Sequence, residues 1–154
     1  MELLLLRHGH AQAYAERDQL RPLSELGRAE IRSVASQASD ALLAVETVWV
    51  SPYLRAQQTY EELRSVLPSL PSAHSRSEIT PGGQVMTLLA SLEACPHAKL
   101  LLITHQPFVG DLLDALCGFD SGRYFMGTAC LAALSLPSIG LGQGDLQWFK
   151  QPSA

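Results

Sequence analysis

The apolar positions of this 154-residue chain fall into two alternating kinds of segment: short unbroken runs, and longer sets spaced by three and four. The first run is Leu3-Leu4-Leu5-Leu6, between Glu2 and Arg7. It is far short of the about 20 apolar residues that cross a bilayer. With Glu2 ahead of it and Arg7 closing it, it does not read as a secretory leader either. An unbroken apolar run of this length predicts a parallel strand buried on both faces. After a polar, irregular stretch over 12–23, Pro22 disfavours helix at Arg21 and Ser24 is a good N-cap. Ile31, Val34, Ala35, Ala38, Ala41 and Leu42 then recur at helical spacing, with Arg28, Glu30, Arg32 and Asp40 off the stripe. That pattern predicts one helix over 25–43.

Thr47-Val48-Trp49-Val50 predicts a second buried strand. Ser51-Pro52 reads as an N-cap and a first helical position. The helix they open, over 53–67, should bury Ala56, Tyr60, Leu63 and Leu67 and end at Pro68 and Pro71. A loop over 69–76 leads to a third short strand near 75–79, and Pro81-Gly82-Gly83 is a turn. Val85, Leu88, Leu89 and Leu92 mark a third helix. Lys99-Leu100-Leu101-Leu102-Ile103-Thr104 repeats the design of the opening run and leads into His105. Val109, Leu112, Leu113 and Leu116 give a fourth helix. Gly118, Gly122 and Gly127 lie in a loop. Strands over 128–136 and 146–149 close the chain as a hairpin across 140–144, and 152–154 is a tail. The alternation predicts an α/β fold with a mainly parallel sheet flanked by helices, organised as one domain over 1–154. Trp49 and Trp148 are expected in the core or on a sheet face.

Composition changes this picture little: 47% apolar and 17% charged residues are globular proportions. The net charge of −4 argues against a nucleic-acid binder, which needs a basic surface. It leaves room for an anionic group held by a local arginine cluster, and arginines outnumber lysines nine to two. Cys95, Cys117 and Cys130 form no CxxC, so neither a disulfide framework nor a zinc site is expected. Buried free thiols in a reducing, cytoplasmic setting are the expectation. No membrane segment or lipidation motif is present in the sequence.

The candidate chemistry lies at three strand-to-helix junctions. Arg7-His8-Gly9 follows the first strand, with Gly9 allowing a sharp exit and a close approach of a ligand to the backbone. Ser51-Pro52-Tyr53-Leu54-Arg55 follows the second, and Thr104-His105-Gln106-Pro107 the long central one. In an open α/β sheet all three fall on one edge, where ligands bind. Two arginines, two histidines and helix N-termini there make a pocket for a tetrahedral oxyanion. An imidazole in it can attack phosphorus in line. His8 and His105 lack a third ligand of matching spacing and sit among arginines, so no metal is expected. Asp18 is expected to partner one of the arginines, Arg21 to reach the pocket from the first loop, and His74 and His97 to be solvated.

Leu6-Arg7-His8-Gly9, Ser51-Pro52-Tyr53-Leu54-Arg55-Ala56-Gln57-Gln58-Thr59 and Thr104-His105-Gln106-Pro107 resemble the three motifs of the histidine phosphatase superfamily. Arg21-Pro22-Leu23-Ser24-Glu25-Leu26-Gly27 and the compact length are similar to its SixA-type phosphohistidine phosphatases. The resemblance runs from Met1 to about Phe119. It implies the phosphoglycerate mutase-like fold in a compact form without a lid domain. It makes His8 the nucleophile that is transiently phosphorylated, with Arg7, Arg55 and His105 binding the phosphoryl group and no metal or other cofactor. The implied substrate is a phosphohistidine on a signalling or phosphotransfer protein; a monomer is expected, with the sequence leaving the oligomeric state open. A small phosphate monoester, or phosphate recognition without catalysis, are the alternatives. Two positions depart from the family pattern. His10 stands where an acidic residue is usual and is given no catalytic role. Glu78, ahead of Pro81-Gly82-Gly83, is either a proton donor or a strand-end surface carboxylate, and SixA-type members lack an obvious donor.

Overall fold

In the computed structural model of this chain, which describes residues 1–153, the opening leucine run is strand β1 (Glu2–Arg7). Strand β2 (Thr47–Val50), the short β3 (Ala73–Ser75) and β4 (Lys99–Thr104) follow in chain order. β4 pairs with β1 in parallel, from Glu2 opposite Lys99 to Arg7 opposite Thr104. β2 runs parallel to β4, and β3 parallel to β2. On the far side of β1, β5 (Leu131–Ser135) and β6 (Asp145–Lys150) add an antiparallel hairpin. The sheet order is β3-β2-β4-β1-β5-β6, so the mainly parallel sheet expected from the sequence carries two antiparallel ladders at one side.

The unbroken apolar runs arise because β1 and β4 are covered on both faces. Leu3, Leu5, Leu100 and Leu102 pack under α4 (Val85–Ala94) and α5 (Phe108–Cys117). Leu4, Leu6, Leu101 and Ile103 pack on the other face, under α1 (Glu25–Gln37), α2 (Ser39–Leu43) and α3 (Leu54–Val66). Each such buried leucine contributes about 1.5–3 kcal/mol. These strands are therefore a rigid base for whatever stands at their ends. Among the described residues no helix is long and apolar enough to cross a membrane.

Several local expectations are corrected. The helix expected over 25–43 breaks at Ala38 (φ −125°, ψ 27°) into α1 and α2. Ala38 and Leu42 stay buried on the same face, so the apolar stripe runs through the break without marking it. The third strand lies earlier than 75–79, because 77–79 winds into a 3-10 turn that aims Ile79 into the core. α3 starts at Leu54, with Tyr53 in the cap position; Ser51 is not its N-cap, its hydroxyl being held against His105 at 2.7 Å. Tyr60 is only half-buried, with its hydroxyl donating to Pro71 O at 2.6 Å. β5 starts at Leu131 and not at 128 because Ala129 N–H instead donates to Arg7 O and His8 O, at 3.1 and 3.0 Å. Cys130 is buried, but Cys95 and Cys117 are half-buried, and all three are free thiols. Trp49 is buried in the core and Trp148 half-buried on β6.

Candidate active site

β2, β4 and β1 are consecutive and parallel in the sheet, so their carboxyl ends lie side by side. His8 N–H donates to Thr104 O and Ser51 N–H to Ile103 O, each at 3.0 Å, extending both ladders one residue past the strands. This brings the His8 and His105 rings to 5.1 Å between centroids, with Tyr53 edge-on to His105 at 5.0 Å. The three junctions expected on one edge therefore converge, and Arg7, His8, Arg55 and His105 meet there.

His8 is 5% exposed. Its Nδ1 lies 2.7 Å from Gly9 O; a carbonyl only accepts, so Nδ1 carries the hydrogen and Nε2 keeps its lone pair. Arg55, in the first turn of α3, sets its Nε 3.3 Å from that Nε2. Its Nη1 donates to Asp18 O at 2.7 Å and its Nη2 to Asp18 Oδ2 at 3.1 Å. Thr59, one turn on, accepts from Gly9 N–H at 3.1 Å and donates to Arg55 O at 2.8 Å. It thereby ties the loop after β1 to the first turn of α3. Gly9 serves a different neighbour from the ligand expected: a Cβ there would sit 2.7 Å from Gly27 O, and one on Gly27 would sit 2.0 Å from His10 O. The two glycines let the start of α1 press against the backbone of residues 9 and 10.

Arg7 Nη1 donates to Met126 O at 3.0 Å, and its guanidinium lies 5.5 Å from the centroid of the exposed Phe125 ring. Arg7 Nε and His105 Nδ1 are buried without a hydrogen-bond partner among the described residues. Buried polar atoms in native proteins are nearly all paired; two orphans beside one imidazole mark the place where a polar ligand's atoms belong. The Ser51 hydroxyl, 2.7 Å from His105 Nε2, also accepts from Tyr53 N–H. It can therefore donate to Nε2 and leave Nδ1–H facing the ligand.

Burial pushes the His8 pKa down to about 3, with repulsion from Arg55, Arg7 and Arg21 adding to it against the Gly9 carbonyl. Burial, then His8 and Arg55, push His105 down to about 2. Both rings are thus neutral at physiological pH, the form a nucleophile and a tautomer-fixed donor require. Accordingly kcat/KM, which reports the free enzyme, is expected to show no enzyme ionisation near pH 6.5 as pH falls from 8 to 5. A single-proton loss of kcat/KM centred there would contradict the neutral, buried His8. Stability, unlike kcat/KM, should depend on pH in this range. Below pH 6.5 the unfolded chain takes up protons that the folded rings refuse, so stability is full above that pH and falls as pH drops towards 3.

The remaining candidates stand at the edge of this cluster or away from it. Arg21 directs its hydrogen bonds to the loop, from Nε to Asp18 Oδ1 at 2.9 Å and from Nη1 to Gln12 O at 3.0 Å. Its charge is felt at His8, but it touches the pocket only through Asp18. Asp18 pairs with both Arg21 and Arg55, not one arginine. His10 is exposed; its N–H donates to Glu30 at 2.8 Å and its Nδ1 lies 2.7 Å from the Ser24 hydroxyl that caps α1. Glu78 is gripped by Arg76 at 2.8 and 3.0 Å and by the Ser91 hydroxyl at 2.6 Å. Arg76 foremost holds its carboxyl at about 2, which suits a fixed ion pair and not a proton donor at neutral pH. His74 and His97 are exposed. Three contributors were missed in the sequence. Ser51 and Thr59 lay inside the second motif, where one helical turn from Arg55 to Thr59 was an available signal. The Met126 carbonyl had none.

Several known proteins resemble this chain. The family model described as histidine phosphatase superfamily (branch 1) matches residues 3–77. The phosphohistidine phosphatase SixA of Escherichia coli (strain K12) is 36% identical over 155 residues, covering 99% of this chain and 94% of that protein. A phosphohistidine phosphatase SixA homolog of Haemophilus influenzae is 27% identical over 128 residues, covering 77% of this chain and 78% of its own. The solved structure of the protein histidine phosphatase SixA complexed with tungstate superimposes with a TM-score of 0.89, at 35% identity, over 99% of this chain and 97% of that one.

Proposed function

The chain belongs to the histidine phosphatase superfamily, branch 1, and from that membership we propose that it is a protein phosphohistidine phosphatase working through a phosphorylated His8. The observation that carries the reading is the pair of buried donors without a partner among the described residues, Arg7 Nε and His105 Nδ1. They stand beside an imidazole whose Nε2 lone pair meets only the Arg55 Nε–H at 3.3 Å and is released to attack when that N–H turns to a phosphoryl oxygen. Together with the Arg55 fork they can hold the oxygens of a phosphoryl group while Nε2 approaches phosphorus. The SixA structure, complexed with tungstate, holds a tetrahedral oxyanion of the same shape.

In this mechanism the His8 Nε2–P bond forms as the substrate's N–P bond breaks. A phosphohistidine protonated on its second ring nitrogen leaves as neutral imidazole, so no carboxylic acid is required and the fixed Glu78–Arg76 pair is no obstacle. Water then attacks phosphorus, the N–P bond to His8 breaks, orthophosphate departs, and the proton lost by water goes to solvent. Arg7, Arg55 and His105 stabilise the equatorial oxygens in both steps. The cationic walls do the work a metal does elsewhere and would repel one.

A protein substrate is favoured by what surrounds the pocket. Tyr14, Leu20 and Phe125 are exposed at 83%, 49% and 71%; Phe125 stands over Arg7 and Leu20 lies two residues from Asp18. Large apolar side chains left in water in the two loops that border a polar pocket suit a partner surface. The reading extends to one domain, acting as a monomer in the cytoplasm, where the free thiols stay reduced. The test is comparative kinetics on a phosphohistidine-bearing phosphotransfer domain and on small sugar phosphates. At least a hundredfold higher kcat/KM on the protein is expected. A preference for the small esters would move the function to a monoesterase, and orthophosphate binding without turnover on any substrate would reduce the protein to a recognition module.

A further inference from the structure

We propose that Asp18 is a built-in competitor for the phosphoryl clamp: its carboxylate occupies the Arg55 donor that phosphate must take, and so keeps product from remaining bound. This rests on the reading of Arg55 as a phosphoryl-binding residue. A guanidinium spans two oxygens of an anion through two parallel N–H groups on one edge. On Arg55 the edge facing the nucleophile is made of Nε and Nη2. Nε points at His8 Nε2, 3.3 Å away, where the phosphorus must arrive. Nη2 is already committed to Asp18 Oδ2 at 3.1 Å. A tetrahedral anion in line with His8 can therefore use this edge only by displacing the Asp18 side chain.

The surroundings make that exchange a local one. Asp18 is 55% exposed on its side chain while Arg55 is 4% exposed, so the carboxylate has solvent to move into. Arg21 Nε holds its other oxygen at 2.9 Å, and Arg21 is itself fixed to Gln12 O; a displaced Asp18 stays paired. Arg55 Nη1 keeps its bond to Asp18 O, which preserves the aim of the guanidinium throughout. When orthophosphate leaves, the carboxylate returns to Nη2. The residue is thus a positioning group that sets how long the product stays, and it does not touch phosphorus.

The alternative is that Asp18 merely satisfies a buried arginine, and the two ideas predict opposite signs. Asp18→Asn and Asp18→Ala are to be compared with wild type for orthophosphate binding by calorimetry at fixed ionic strength. The expected result is about tenfold tighter binding in both, since a partly exposed carboxylate competes with modest strength. Unchanged or weaker binding would overturn the proposal. A second measurement needs no variant: the Asp18 carboxyl carbon resonance of the wild-type protein should shift on saturation with orthophosphate. An unmoved resonance in a phosphate-bound protein would overturn it equally. A wild-type protein that binds no orthophosphate at all would remove the clamp reading of Arg55 along with this one.

Discussion

His8→Ala is expected to leave no measurable turnover and no acid-labile phosphorylation of the protein. The expectation is so large because the proposed step uses one atom, Nε2, for which the pocket holds no substitute. His105 Nε2 is engaged by Ser51, and its Nδ1 is needed as a donor to the phosphoryl oxygens. Losing a nucleophile that acts with its partners as a unit costs on the order of 10⁵–10⁶ in rate. The fold should survive. His8 stands just past the end of β1 and outside the two apolar clusters that hold the sheet and helices together. Its removal leaves Arg55 Nε unpaired and a small void, a cost of about 1–3 kcal/mol. Circular dichroism and a cooperative melt should therefore report a folded protein while phosphate release reads zero. Turnover within tenfold of wild type would remove His8 from the mechanism.

Which features were legible in the sequence follows from how far each depends on distant partners. Leu3–Leu6 and the Leu100–Ile103 run announced themselves because burial on both faces demands apolarity at every position. The convergence of Arg7, His8, Arg55 and His105 was legible because parallel strands must deliver their carboxyl ends to one edge. What stayed hidden was decided by a second segment. The break at Ala38 costs no apolar contact, so the stripe passes over it. Gly9 by itself suggests room for a ligand, but the space it leaves is filled by Gly27 O, a neighbour that only packing of α1 against the loop supplies. Ser51 looked like a helix cap until His105, 54 residues on, claimed its hydroxyl. The double pairing of Asp18 needs α3 and the 12–21 loop to meet, which no local pattern encodes.

Arg55→Lys separates holding the phosphoryl group from attacking it. Lysine keeps the charge but replaces a planar fork by a single point of donation. Arg55 at present makes three directed contacts from three nitrogens, to His8 Nε2, Asp18 O and Asp18 Oδ2; one ammonium cannot reproduce both the aim and the span. If the fork follows the equatorial oxygens as they flatten in the transfer state, its loss should lower kcat and kcat/KM together. Removing one preorganised donor costs about 10²–10³ in rate, or roughly 3–4 kcal/mol. Slow turnover should remain, and with it detectable phosphorylation on His8, which the His8→Ala protein cannot show. A raised KM with unaltered kcat would assign Arg55 to uniform substrate binding. Wild-type kinetics would mean that the phosphoryl group lies elsewhere than between Arg55 and His8, and the site built from the three junctions would fail at the second of them.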